Sequence, residues 1–95
     1  MQITISSNSI IIEGNIKTVH DYQEIKSVTD SLIQEHKKIK IIIKDSLSIT
    51  SSIIGYFNKI VLRDSIDLNM EVGNIQLVNL LDDLNLTSIF KVKKV

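Results

Sequence analysis

Lys38-Ile39-Lys40-Ile41-Ile42-Ile43-Lys44, then Asp45-Ser46-Leu47-Ser48-Ile49-Thr50-Ser51-Ser52, then Ile53-Ile54-Gly55-Tyr56-Phe57 is the stretch that decides the fold class. Ile39 to Ile43 is a β-branched run bounded by lysines. Such side chains are stiff at the first torsion and suit a pleated sheet, so the run predicts a buried strand. Beyond the hydroxyl-rich segment the apolar period changes. Ile53, Ile54, Phe57, Ile60 and Val61 recur at helical spacing. A buried strand, a polar loop and an amphipathic helix in succession form the repeating unit of an α/β layer.

The same logic extends in both directions. Gln2 to Ile5 alternates polar and apolar, Ser6 to Ser9 reads as a turn, and Ile10 to Ile12 forms a second strand running towards Ile16. Gly14 and Asn15 mark a turn or bulge near its end. Thr18 can cap a helix, with Asp21 near the positive end of its dipole. Tyr22, Ile25, Val28, Leu32 and Ile33 supply its apolar stripe. On the other side, Leu68, Met70 and Val72 alternate with Asn69 and Glu71 as a strand does. Gly73 and Asn74 form a turn, and Asn74 can cap a third helix. Leu77, Leu80, Leu81 and Leu84 form its apolar face. Asn85 follows, a residue that tolerates the left-handed conformation at helix ends. Ile89, Phe90 and Val92 suggest a last short strand.

These signals predict helices over roughly 19–37, 51–64 and 74–84, within the order β-β-α-β-α-β-α-β. Parallel crossovers are right-handed. Each helix has one apolar stripe, so the expected fold is a small mixed, mostly parallel sheet with helices packed mainly on one face. The expected core includes Ile41, Ile43, Ile54, Phe57, Val61, Leu77, Leu81 and Phe90.

Composition narrows the function classes. A chain of 95 residues is expected to be one domain, residues 1–95. It is 43% hydrophobic and only 4% aromatic, so aliphatic side chains must fill the core. Eleven basic and eleven acidic residues cancel, which leaves no strong field for a phosphate backbone and argues against a nucleic-acid partner. There is no cysteine, hence no disulfide or thiol nucleophile. No apolar run is long enough for a membrane span, and residues 1–20 lack a signal-peptide pattern. A cytoplasmic protein without a membrane partner is the expectation.

Little points to catalysis. His20 and His36 stand at opposite ends of one predicted helix, about 24 Å apart at 1.5 Å per residue, too far to share a metal. Asp82 and Asp83 are adjacent on a helix and diverge. Asp45 ends the central strand, as a phosphoacceptor aspartate would, but the first strands offer only Glu13 as a further acid. It reads as a loop residue bonding its own turn. Lys91, Lys93 and Lys94 form a small basic tail. No glycine-rich phosphate loop occurs. The reading is therefore of a protein that is not an enzyme and uses no metal or cofactor.

The candidate site is Thr50-Ser51-Ser52, where a strand and its loop feed a helix start. Ligands and modifications in open α/β sheets favour the carboxyl ends of strands. Free amides at a helix start stabilise a phosphate. The same position equally suits a hydroxyl that merely caps the helix.

Ser48-Ile49-Thr50-Ser51-Ser52-Ile53-Ile54-Gly55-Tyr56-Phe57 resembles the STAS segment that reads apolar, Asp, Ser, Ser or small, Gly, Leu, Gly. Leu81-Asp82-Asp83-Leu84-Asn85-Leu86-Thr87-Ser88-Ile89-Phe90 is similar to the family's closing motif, with Asn85 at its glycine position. In that register Ser51 falls on the phosphorylatable serine of bacterial anti-sigma-factor antagonists, and Ser52 on the second small polar position. Thr50 replaces the usual Asp and Ile53 the first glycine. The resemblance implies a STAS-like fold and a regulatory module that binds a protein partner, an anti-sigma-factor kinase or related regulator. The contact surface it implies is Ser48, Ser51, Ser52, Ile53, Gly55, Tyr56, Asn58 and Lys59. Phosphorylation at Ser51, with Ser52 and Thr50 as alternatives, would act as the switch. The other reading is an unphosphorylated structural or scaffold subunit of a larger assembly with the same fold. A homodimer is compatible with either.

Overall fold

In the computed structural model, which describes residues 1–95, Ile39, Ile41 and Ile43 are fully buried. Lys38, Lys40 and Ile42 point to the other side of the same strand. This strand, β3 (Lys38–Ile43), is the centre of a five-stranded sheet with the order β1-β2-β3-β4-β5. The other strands are β1 (Gln2–Ser6), β2 (Ser9–Glu13), β4 (Asp67–Val72) and β5 (Val92–Lys94). β1 and β2 form an antiparallel hairpin, and β2 through β5 run parallel.

Helices α1 (Val19–Ile33), α2 (Ser51–Leu62) and α3 (Ile75–Asp83) make the three crossovers. Each crossover advances one strand in the same direction. Right-handed connections then place all three helices on one face. Their buried residues (Ile25 and Leu32; Ile53, Tyr56, Phe57 and Ile60; Leu77 and Leu81) join the inward side chains of β2, β3 and β4 in a single core. Phe57 meets Phe90 edge-on, ring centres 6.0 Å apart. The opposite face of the sheet carries Lys38, Lys40, Asn69 and Glu71 and has no helix over it.

Local signals account for the helix ends. Thr18 caps α1 in a capping box: its hydroxyl accepts from Asp21 N–H at 3.0 Å, and the Asp21 carboxylate accepts from Thr18 N–H at 3.0 Å. Asn74 caps α3 by accepting from Gln76 N–H at 2.8 Å. Just beyond α3 and its Leu84 C-cap, Asn85 takes the left-handed conformation, with a φ of 59°. Asn85 N–H donates to Asp82 C=O and Leu86 N–H to Leu81 C=O, the paired bonds of a Schellman motif. Leu86 is buried beyond the cap, so the closing motif is a helix stop that plugs into the core.

Several expectations change. α1 stops at Ile33, short of residue 37; Glu35 and His36 N–H groups both turn back to the Leu32 carbonyl and close the helix early. β2 stops at Glu13, before Gly14 with its φ of 93°, and buried Ile16 lies in the following loop. Ile89 and Phe90 are not in a strand. They lie in a turn whose Phe90 N–H bonds the Leu86 carbonyl, and β5 begins only at Val92. Ile54 and Val61 are half-buried, while Ile53, Tyr56 and Ile60 lie under the helix with Phe57. Leu80 and Leu84 remain 37% and 48% exposed, so the stripe of α3 is narrower than its leucines suggest.

Candidate functional site

The hydroxyl-rich loop between β3 and α2 is first of all a set of stitches. The Asp45 carboxylate accepts from Gly14 N–H at 2.8 Å. Ser46 is fully buried; its hydroxyl accepts from Ile16 N–H at 3.0 Å and donates to Ser48 C=O at 2.7 Å. The Asn15 side chain accepts from Leu47 N–H, and the Ser48 hydroxyl donates to Ile16 C=O, both at 3.0 Å. Two loops at the carboxyl ends of neighbouring strands are thereby tied together. The N–H groups of Gly14, Ile16 and Leu47 and the carbonyls of Ile16 and Ser48 are paired in this way without any regular structure.

Thr50 then takes the N-cap of α2. Its hydroxyl accepts from Ile53 N–H at 3.3 Å, with extended backbone angles. The capping hydroxyl is therefore Thr50, and neither Ser51 nor Ser52. Both serines are exposed in the first turn of α2. Of the segment's hydroxyls, Ser46, Ser48 and Thr50 are engaged in the fold, and Ser51 and Ser52 face solvent beside the free amides of a helix start.

The predicted contact surface divides. Ser51, Ser52, Gly55 and Lys59 are exposed. Ser52, Gly55, Lys59 and Leu62 follow one another at helical spacing along one face, and Leu62 is 69% exposed. Ile53 and Tyr56 are not part of that surface: their relative exposures are 0% and 4%. Ile53 points into the core. The ring of Tyr56 lies against Phe57, and its hydroxyl reaches Asp30 on α1 at 2.5 Å. Ser48 is half-buried and held by Ile16. Asn58 is also half-buried, with a buried Oδ1 that has no hydrogen-bond partner.

Tyr56, Asp30 and Lys26 form a polar link between α1 and α2 that sequence spacing does not reveal. Lys26 bonds Asp30 at 2.8 Å and lies 5.5 Å from the Tyr56 ring centre. Burial raises the Tyr56 pKa, and the bond to the Asp30 carboxylate raises it further, so the phenol stays protonated. Burial works against the charge on Asp30, but hydrogen bonds from Lys26 and Tyr56 outweigh it and lower its pKa. These residues tie the helices together away from the serines.

Beside the serines, Lys17, Thr18, Val19, Tyr22, Thr50 and Ser52 line a shallow concavity of about 90 Å³ between the starts of α1 and α2. Val19 on its rim is 73% exposed. A larger concavity, about 210 Å³, lies on the bare sheet face between Asn8, Lys40, Asn69 and Lys93. Ion pairs stand at that face: Lys40 meets Glu71 at 3.1 Å, and Lys91 meets Asp67 at 2.7 Å. Lys91 is thus paired, and not part of a free basic tail. No group of three or more metal-ligating side chains converges. No helix is long and apolar enough to cross a membrane.

No protein-family model and no curated protein matches the sequence. Among solved structures the chain is similar to the protein TM1081, determined by NMR, with a TM-score of 0.67 and 22% sequence identity. The match covers 98% of this chain and 79% of that one. At this identity the likeness establishes a shared α/β fold, with its mixed sheet and three helices, and carries nothing further.

Proposed function

We propose that this chain is a STAS-type regulatory module that binds a protein partner through the start and outer face of α2 and is switched by phosphorylation at Ser51. The observation that carries this reading is the division of labour among the hydroxyls. Thr50 caps the helix, which leaves Ser51 accessible in its first turn. A phosphate there would add about −1.5 to −2 charges beside free amides that tolerate it, so the fold would survive. An interface seated on that turn would have to desolvate the added charge and would weaken. The resemblance of residues 48–57 and 81–90 to the STAS motifs supplies the class of partner, an ATPase-type anti-sigma-factor kinase or related regulator.

Gly55 supports the same surface. A glycine inside a helix costs about 1 kcal/mol against alanine. A Cβ at Gly55 would meet nothing within 4 Å. The fold does not require this glycine, whereas a partner backbone approaching closely between Ser52 and Lys59 would.

Mass spectrometry of the protein purified from its own cells tests the switch. The expected result is a phosphopeptide carrying Ser51, or Ser52 one residue on. Recovery of that peptide only in unmodified form, under conditions in which the partner complex dissociates, would favour an unphosphorylated scaffold subunit.

A further inference from the structure

The β1 edge carries none of the devices that keep an edge strand from pairing with another chain, such as charge, proline or a bulge. Gln2-Ile3-Thr4-Ile5-Ser6 has no charged residue and no proline. It pairs with β2 in unbroken register from Gln2↔Glu13 to Ser6↔Ser9. Every residue but Ile3 is exposed, and Ile5 keeps half its surface in water, at 50%. The opposite edge differs: β5 has three residues, two of them lysine.

The register fixes which backbone groups are free. Lys40 N–H donates to Asn8 C=O and Lys44 N–H to Ile12 C=O, both at 3.0 Å. Residues 8, 10 and 12 therefore turn their backbone groups towards β3. Ser9, Ile11 and Glu13 turn theirs towards β1, so Ser6, Thr4 and Gln2 are their hydrogen-bonded partners. Bonded and non-bonded pairs alternate in an antiparallel ladder, which leaves the N–H and C=O groups of Ile3 and Ile5 facing outward.

The pattern of the strand is symmetric about Thr4. When a second β1 lies antiparallel with Thr4 opposite Thr4, Ile3 of each copy faces Ile5 of the other. Each Ile pair can exchange both backbone hydrogen bonds. The isoleucine side chains fall on the helix-covered face, where Ile3 already packs against the core. Gln2 faces Ser6 on the other side, and no like charges meet. An arrangement in which each strand is its own complement is a two-fold, isologous interface.

We propose that two copies of this chain form a symmetric dimer by antiparallel β1–β1 pairing centred on Thr4, which joins two five-stranded sheets into one. The short, lysine-bearing β5 edge resists further pairing, so the assembly closes as a dimer and does not grow into a filament.

Sedimentation velocity on the full chain, from low to high micromolar concentration, tests this. The wild type should shift reversibly from monomer to dimer. Thr4→Lys places two ammonium groups opposite each other at the axis and should raise the dimer dissociation constant about tenfold or more. Thr4→Val should leave it within a few-fold. A wild type that stays monomeric throughout, or a folded Thr4→Lys chain that dimerises like the wild type, overturns the proposal. If Thr4→Lys fails to fold, hydrogen exchange in the wild type decides. Ile3 and Ile5 amides that become protected as concentration rises support the pairing, and amides that exchange freely at every concentration overturn it.

Discussion

At Gly73 a hydrogen atom stands where any side chain would collide. A Cβ built there would lie 2.0 Å from the Lys44 carbonyl oxygen, while Gly73 N–H donates to Ile43 C=O at 2.9 Å. The contact is with backbone, so relief requires moving β3 or the start of α3. Gly73→Ala should cost about 1 to 3 kcal/mol, read as a lower urea midpoint. The hydroxyls of α2 make the complementary case. Thr50→Ala should cost about 0.5 to 2 kcal/mol through loss of the cap. Ser51→Ala should stay within about 0.5 kcal/mol of wild type, as exposed positions do. Equal losses at the two positions would mean that the cap is shared. Residues whose partner lies within one turn were legible in the sequence: Thr18 with Asp21, Asn74 with Gln76, Asn85 at the helix stop. Ser46 and Ser48 were not, because their partners lie 30 and 32 positions away in the loop after β2, and only the parallel pairing of β2 with β3 brings them together.

At the scale of elements, strands were easier to read than helix faces. A strand has two sides, and the isoleucines of β3 settle which is inward. A helix start with adjacent Ile53 and Ile54 offers two stripes. The one used is Ile53, Tyr56, Phe57 and Ile60, which required treating Tyr56 as core; its bond to Asp30 is what permits a phenol to be buried there. The resemblance of the helix start to the STAS segment implies Ile53 and Tyr56 as contact residues, but both lie beneath the exposed face. Docking of α3 rests on Leu77 and Leu81, both fully buried. Leu81→Ala should cost about 2 to 5 kcal/mol, with the midpoint of chemical denaturation as the readout. The outer face of α2 should respond in the opposite sense. Gly55→Ala should stabilise the chain by about 0.5 to 1 kcal/mol and raise its melting temperature. A stabilised variant that also binds the proposed partner less well would separate the needs of the helix from those of the proposed interface.

For the molecule as a whole, acid stability follows from carboxylates held ionised by the fold. Backbone hydrogen bonds from Lys17 and Thr18 lower the pKa of Asp21. A hydrogen bond from Lys91 lowers that of Asp67, and Lys26 and Tyr56 do the same for Asp30 against its burial. A folded-state pKa below the unfolded value means that the contribution is complete above the unfolded pKa and is lost as pH falls through the folded one. Stability against urea should therefore be nearly level from neutral pH down to about pH 5 and then decline below about pH 4. Asp21→Asn should shallow that decline, and an unchanged acid limb in the variant would show that Asp21 does not contribute to it. The order of elements, the one-sided helices and the central strand were all readable from periodicity. The link between α1 and α2 through Lys26, Asp30 and Tyr56 depends on three-dimensional packing and was not. A charge at Ser51 is proposed to act on binding and to spare the fold. This effect is measured by a calorimetric titration of wild type, Ser51→Ala and Ser51→Asp against the proposed partner, an ATPase-type regulator from the same cell. Wild type and Ser51→Ala should bind alike, while Ser51→Asp, equally folded by circular dichroism, should bind at least about tenfold more weakly, a difference of about 1.4 kcal/mol. Equal affinity for all three would contradict it.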